Sequence, residues 1–199
     1  MIAQRLLALL AGCAVLAAAA QRAENDLLKP YISCKFDDGL HVTSSVRLPE
    51  GALTRMVTTA DGRKTVSTID GYRMLLAYPG KEPFLNLRVE ESASDRYQQD
   101  KKTIVDQMGY IAGTSTGAVV PVGHDTYGSL DHYRIDDLTI SHQPIAMHSL
   151  FDDKRRVVIT VYFLNAPPEK RSYATMDQFR ALRDRFFTRY FACVRENGG

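Results

Sequence analysis

The chain has 199 residues, 45% hydrophobic and 24% charged, the balance of a folded globular protein. That excludes a disordered or low-complexity chain, and no G-X-Y period suggests collagen. Lys plus Arg total 25 against 23 for Asp plus Glu, a formal net charge of +2, so the charge balance gives no support to nucleic-acid binding.

Residues 1–20 read as a signal peptide. Met1–Arg5 carries one positive charge, Leu6–Ala20 is apolar throughout, and Ala18 and Ala20 form an A-x-A site before Gln21. The apolar run is shorter than the roughly 20 residues a membrane span needs, and no later stretch is long enough. The alanine-rich run has a bacterial character, which predicts a periplasmic or secreted protein. The alternative is a lipoprotein: Leu10-Ala11-Gly12-Cys13 has the form of a lipobox, with Cys13 acylated as a lipid anchor. The short apolar stretch before Cys13 and the apolar Ala14–Ala17 after it favour the soluble form. Residues 21–30 are a short N-terminal segment, 31–195 a single domain and 196–199 a tail.

The chain has three cysteines. With Cys13 in the leader, Cys34 and Cys193 are left as an even pair in an oxidising compartment, which predicts a structural disulfide across the ends of the domain. Closing so long a loop is worth about 4–5 kcal/mol in the chain-entropy account. No C-x-x-C is present, which argues against a redox enzyme.

Extended runs then come in pairs joined by turn signals: Ile32–Phe36 with Leu40–Val46 around Asp37-Asp38-Gly39, Thr54–Ala60 with Arg63–Ile69 around Asp61-Gly62, Tyr72–Tyr78 with Phe84–Glu90, and Ile145–Phe151 with Arg155–Leu164. Short turns make these antiparallel hairpins. In Phe84–Glu90, Leu85, Leu87 and Val89 alternate with Asn86, Arg88 and Glu90, the pattern of a half-buried strand. Val157–Leu164 is apolar on both faces, as a central strand is. A helix is expected over Asp95–Ala112 with Ser94 as N-cap and Gly113 as stop. A second runs from a Thr175/Gln178 capping box to about Arg195; its stripe of Phe179, Leu182, Phe186, Tyr190 and Cys193 faces the core. The outward Arg180, Arg185, Arg189 and Arg195 read as a solvated face. Gly113–Gly128 reads as a loop with one short strand at Ala118–Val122, the best candidate for a functional loop. The fold class is α+β: an antiparallel sheet of hairpins covered by two helices in an α/β/α sandwich-like arrangement.

Signals for chemistry are sparse. Gly113-Thr114-Ser115-Thr116-Gly117 matches G-x-S-x-G, but a helix precedes it and a strand follows, the reverse of a nucleophile elbow. Ser115 with His124 or His132 is nevertheless the one catalytic candidate. His132, Arg134 and Asp136 share a strand face, the most polar in the chain, which reads as the wet side of a sheet or the lining of a cleft. His142 and His148 lack a third ligand at a fixed spacing, and the five histidines hold no metal motif. The Asp pairs at 37–38, 136–137 and 152–153 lack calcium-loop spacing. No P-loop or dinucleotide motif is present, so no cofactor is expected.

The order of elements from Val46 to Val194 resembles the fold of the PsbP-like domains, shared with a Ran-binding import factor. The resemblance implies a central antiparallel sheet covered by helices on both faces, and a domain that binds proteins rather than one that catalyses. Three function classes follow. The first is a non-catalytic binding or accessory domain for another envelope protein, such as an inhibitor, immunity protein or assembly factor, with the Gly113–Gly128 loop and exposed Tyr and Arg as contacts. The second is a small serine hydrolase built on Ser115. The third is a small-ligand carrier with a pocket lined by Tyr72, Met74 and Phe186.

Overall fold

A computed structural model describes residues 27–36, 39–113, 122–136, 138 and 145–198. Eight strands form one antiparallel sheet: β1 (His41–Arg47), β2 (Thr54–Thr59), β3 (Gly62–Ala77), β4 (Leu85–Ser92), β5 (Gly123–Tyr127), β6 (Leu130–Ile135), β7 (Ala146–Asp152) and β8 (Val157–Phe163). Their order is β1-β3-β4-β8-β7-β6-β5, with β2 paired to the first half of β3. Three helices accompany them, α1 (Lys29–Ile32), α2 (Tyr97–Gly113) and α3 (Met176–Glu196). The architecture is the α+β sheet with helices that the sequence predicts. Cys13, the leader, Asp37-Asp38, Ser115, Ala118–Pro121, Asp137 and His142 lie outside the described residues.

The period of two fixes which residues meet which helix. Leu85, Leu87 and Val89 of β4, Val157, Ile159, Val161 and Phe163 of β8, and Leu130, Ala146 and Leu150 face α3, forming the larger core with Phe179, Phe186, Phe187, Tyr190 and Val194. Aromatic rings dominate it: Phe163 lies edge-on to Phe84 at 5.3 Å and to Phe179 at 5.7 Å, the geometry that ring quadrupoles favour. Each such ring, fully buried, contributes about 1.5–3 kcal/mol from burial alone. The opposite face carries two smaller clusters under α2, one around Val57, Val66, Tyr97, Ile104, Phe151 and Val158, the other around Met108, Ile135 and Met147. The capping box of α3 forms, with the Gln178 backbone N–H donating to Thr175 Oγ1 at 3.2 Å and the Gln178 side chain accepting from Ala174 N–H at 2.7 Å.

The termini are tied together as expected. Cys34 and Cys193 are disulfide-bonded, 159 residues apart in sequence, with Cα atoms 5.7 Å apart. A polar chain supports the bond: Tyr190 Oη donates to the Tyr31 carbonyl at 3.0 Å, and Tyr31 Oη donates to buried Asp152 Oδ2 at 2.6 Å. Arg155 donates to both oxygens of that same carboxylate.

Four expectations are corrected. Ile32–Phe36 does not pair with Leu40–Val46. Pro30 opens the short helix α1, and Tyr31 and Cys34 are drawn onto the α3 face, so β1 pairs with the second half of β3 instead. The runs Arg63–Ile69 and Tyr72–Tyr78 are one strand, bent by a register shift between Thr68 and Asp70. Just beyond that bend, a side chain at Gly71 would meet the Val89 carbonyl at 3.0 Å and Leu48 at 2.8 Å. Helix α2 starts at Tyr97, its first N–H groups turning back onto the Ala93 carbonyl, and Gly113 is its last residue. Finally, Gly123–Tyr127 is a strand rather than loop. Its residues His124–Tyr127 are all exposed, so no side-chain alternation announces it.

Candidate functional site

His132, Arg134 and Asp136 do share a strand face, but it is neither the wet side of the sheet nor an open cleft: α3 packs on it and buries His132. The β6/β7 register sets Arg134 opposite His148, bringing His148 beside His132: His132 Nε2 and His148 Nδ1 lie 2.8 Å apart. One ring nitrogen donates and the other accepts, a contact that two neutral rings can make; the outer nitrogens, His132 Nδ1 and His148 Nε2, have no hydrogen bond among the described residues, His148 Nε2 lying 3.4 Å from Asp136 Oδ1. Arg183 reaches across from α3 to Asp136, 3.1 Å from Oδ1 and 3.2 Å from its carbonyl. Arg134 Nε donates to Asp136 Oδ2 at 3.0 Å and also pairs with Asp125.

Burial dominates the electrostatics of the pair. His132 is 4% exposed and His148 2%, with Phe187 stacked on His148 at 4.4 Å and Phe191 edge-on to His132 at 5.7 Å. Desolvation pushes the His132 pKa down to about 4, against the pull of Asp136. His148 is driven well below the ordinary value by burial and by its neighbours His132 and Arg183. Both imidazoles are therefore neutral at pH 7. Rings packed this way brace α3 against the sheet and present no open face to a substrate.

His124 is elsewhere. The β5/β6 pairing sets it opposite Tyr133, and it stacks on that ring at 4.3 Å on the α2 side, 3.6 Å from Asp131. His124 and His132 thus lie on opposite faces of the sheet, and they do not form one constellation. Among the described residues, no group of three His, Cys, Asp or Glu is placed to hold a metal ion. The carrier pocket expected around Tyr72, Met74 and Phe186 is filled: Met74 and Phe186 are buried members of the α3-side core and Tyr72 packs against them.

Two features were not singled out by the sequence. The first is a groove of about 420 Å³ beside the β5 edge, lined by Tyr127, Leu130, Phe191, Ala192 and Arg195 among others. Tyr127 is half exposed, stacks on Phe191 and points into it. The second is a polar seam on the α2 face. Asn86, Arg88 and Glu90 do point away from the α3-side core, as their alternation predicts, but β4 is not half buried: Glu90 is 1% exposed. The bent β2–β3 hairpin folds over this face and brings Arg55 to Glu90 Oε2 at 3.1 Å, while Arg88 reaches Glu90 Oε1 at 2.8 Å. Alternation reports which way a side chain points, not what later covers it.

Comparison with family models, with curated proteins and with solved structures finds no match for this chain.

Proposed function

We infer that this is an exported, non-catalytic binding domain of the bacterial envelope that holds a segment of another protein at its β5 edge. The observation that carries this reading is the juxtaposition of that edge with the Tyr127 groove. Among the described residues no further strand pairs with β5, whose residues His124–Tyr127 are exposed. An open edge is a template for an added strand, and an adjoining pocket supplies side-chain specificity. Tyr127 and Arg195 are of the residue types that dominate interface energies. The charged Asp125 on the strand disfavours pairing with a second copy. Arg195 at the groove wall suits a partner segment that places an apolar side chain in the groove and an acidic residue beside it.

The disulfide, and the absence of any described helix long and apolar enough to cross a membrane, are compatible with an extracytoplasmic protein. Cleavage before Gln21 gives a free domain, and acylation at Cys13 a tethered one; the intact mass of the exported form separates them. The resemblance of the element order to that of PsbP-like domains supports the same reading, toward protein binding.

The test is site-specific photocrosslinking in cells. A crosslinker at Thr126 is expected to capture one dominant envelope protein, a crosslinker at Lys81 at the far side of the fold is not, and Arg195→Glu should diminish the Thr126 product. Indistinguishable products from the two positions would overturn the reading.

A further inference from the structure

Three placements give the β5 edge a direction. The β5–β6 hairpin closes on Tyr127 and Leu130 around Gly128-Ser129. In an antiparallel ladder the backbone groups of successive residues turn alternately to the two sides of a strand. Tyr127 and Asp125 therefore turn theirs to β6, while Thr126 and His124 turn theirs to the open edge. Side chains alternate between the faces in the same way. Tyr127 and Asp125 share the α3 side, Tyr127 stacked on Phe191 with ring centres 3.8 Å apart and Asp125 paired with Arg134.

The C-terminal end of α3 lies at the Tyr127 end of that strand. Asp152 of β7 is opposite Leu130, and Arg155, in the turn that follows β7, donates to the carbonyl of Gly198 just past α3. Arg195 follows Phe191 by four residues, about 6 Å along the helix axis, and is exposed. Among the described residues that line the groove of about 420 Å³ it alone is charged; the others are apolar, aromatic, small or hydroxyl-bearing. Asp125 lies the other way, two residues before Tyr127 and about 6.7 Å along the strand. Its partner Arg134 is shared with Asp136, so that end carries no spare positive charge. The edge thus offers a cation beyond the stacked rings on one side and a carboxylate on the other.

We propose that the segment held at the β5 edge adds as a strand antiparallel to β5 and carries, in chain order, an acidic residue, a spacer and an aromatic residue; this rests on the partner reading above and specifies its ligand. Antiparallel addition continues the pairing of every strand in the sheet and gives the stronger ladder. The aromatic residue lies opposite Tyr127 on the α3 side, its ring against the Tyr127–Phe191 stack in a groove with room for it. Two residues earlier, about 6.7 Å further toward the α3 C-terminus, the partner's side chain on the same face meets Arg195, whose guanidinium suits a carboxylate. Two residues later the side chain on that face lies opposite Asp125, where a second carboxylate is repelled. The acid therefore belongs before the aromatic residue and not after it. The residue that follows the aromatic one lies opposite Thr126 and forms both ladder hydrogen bonds with it, while the aromatic residue's own N–H points away from β5.

The probe is the peptide acetyl-Thr-Glu-Ser-Phe-Thr-Thr-Thr-amide, titrated into the full chain and followed by ¹⁵N–¹H NMR, with the reversed sequence as a control of identical composition. The forward peptide is expected to shift the backbone signals of His124–Tyr127 and Arg195 saturably, and the reversed peptide to bind at least tenfold more weakly. Alanine in place of the peptide's Phe should also weaken binding at least tenfold. N-methylation of the residue after that Phe should abolish binding, and N-methylation of the Phe itself should leave it within about threefold, because only the first N–H faces β5. Arg195 is exposed, so Arg195→Glu leaves the fold intact and should reverse the charge preference, favouring the peptide with Lys in place of Glu. Equal affinity for the two orders, no saturable shift with either, or sensitivity to N-methylation at the Phe and not after it overturns the proposal. Photocrosslinking at Thr126 assumes no sequence or direction. A partner captured there alongside failure here removes only the order and direction; failure to capture one removes the partner reading itself.

Discussion

The two faces of the one sheet are built on different principles. The α3 face is a closed aromatic core that buries two polar pairs, His132 with His148 and Tyr31 with Asp152. The α2 face has smaller apolar clusters, separated by a seam of charged and hydroxyl side chains, and buried polar atoms without a hydrogen bond occur on both faces, at His132 Nδ1 and His148 Nε2 as well as at Thr160 and Ser149. The first face pins the chain ends and resists unfolding; the second holds buried charges, Glu90 between Arg55 and Arg88.

The largest test of this contrast is the staple on the α3 face. Cys34→Ser or Cys193→Ser should cost about 4–5 kcal/mol, lowering Tm on the order of 10–15 °C under oxidising conditions and not in excess reductant. Thiol titration of the unfolded, unreduced protein should find neither of these two cysteines reactive. Slightly smaller is Phe186→Ala, which opens a cavity in the aromatic core and should cost about 3–5 kcal/mol in denaturant unfolding. A loss under 1 kcal/mol would mean the core there is loose, and the contrast with the α2 face false.

Acid titration probes the histidine pair. The folded pKa of His132 is about 4 and its unfolded value about 6.5. Above pH 6.5 both states are neutral and stability is level. Between 6.5 and 4 only the unfolded state takes up the proton, so stability falls, by about 3 kcal/mol in all for this group, and His148 acts in the same direction. Asp152 loses its contribution lower still: burial pushes its pKa up, but the hydrogen bonds from Tyr31 and Arg155 hold it below the ordinary carboxylate value. The double variant His132→Leu/His148→Phe should flatten the slope between pH 6.5 and 4. Urea midpoints measured across that range check it, and an unaltered slope would place the acid-labile groups elsewhere.

The smallest effect has the opposite sign. Thr160→Val should leave stability unchanged or raise it by up to about 1 kcal/mol, because the hydroxyl it removes is buried and unpaired. A loss of 2 kcal/mol would show that Thr160 has a protein partner.

Much of this could be read along the chain. The Cys34–Cys193 bond, the hairpins around Tyr72–Glu90 and Ile145–Leu164, the two longer helices and the polar face at His132, Arg134 and Asp136 each rest on local spacing or on counting cysteines. The failures share a cause. Ile32–Phe36 has a strand's composition, but Tyr31 and Cys34 are held by partners more than a hundred residues away. Gly123–Tyr127 lacks alternation because its residues His124–Tyr127 are all exposed and the strand has no side to hide.

By itself, then, the sequence determined the period of each element, and with it the direction in which every strand residue points, together with the charge balance and the pairing of the ends. The tertiary structure decided what each face meets. It set His148 beside His132, sent His124 to the other side of the sheet, and folded the β2–β3 hairpin over Asn86, Arg88 and Glu90. Direction is a property of local backbone geometry and is written residue by residue. Covering depends on register between strands and on where a bend such as Thr68–Gly71 turns the chain, and those are settled only when distant segments pack.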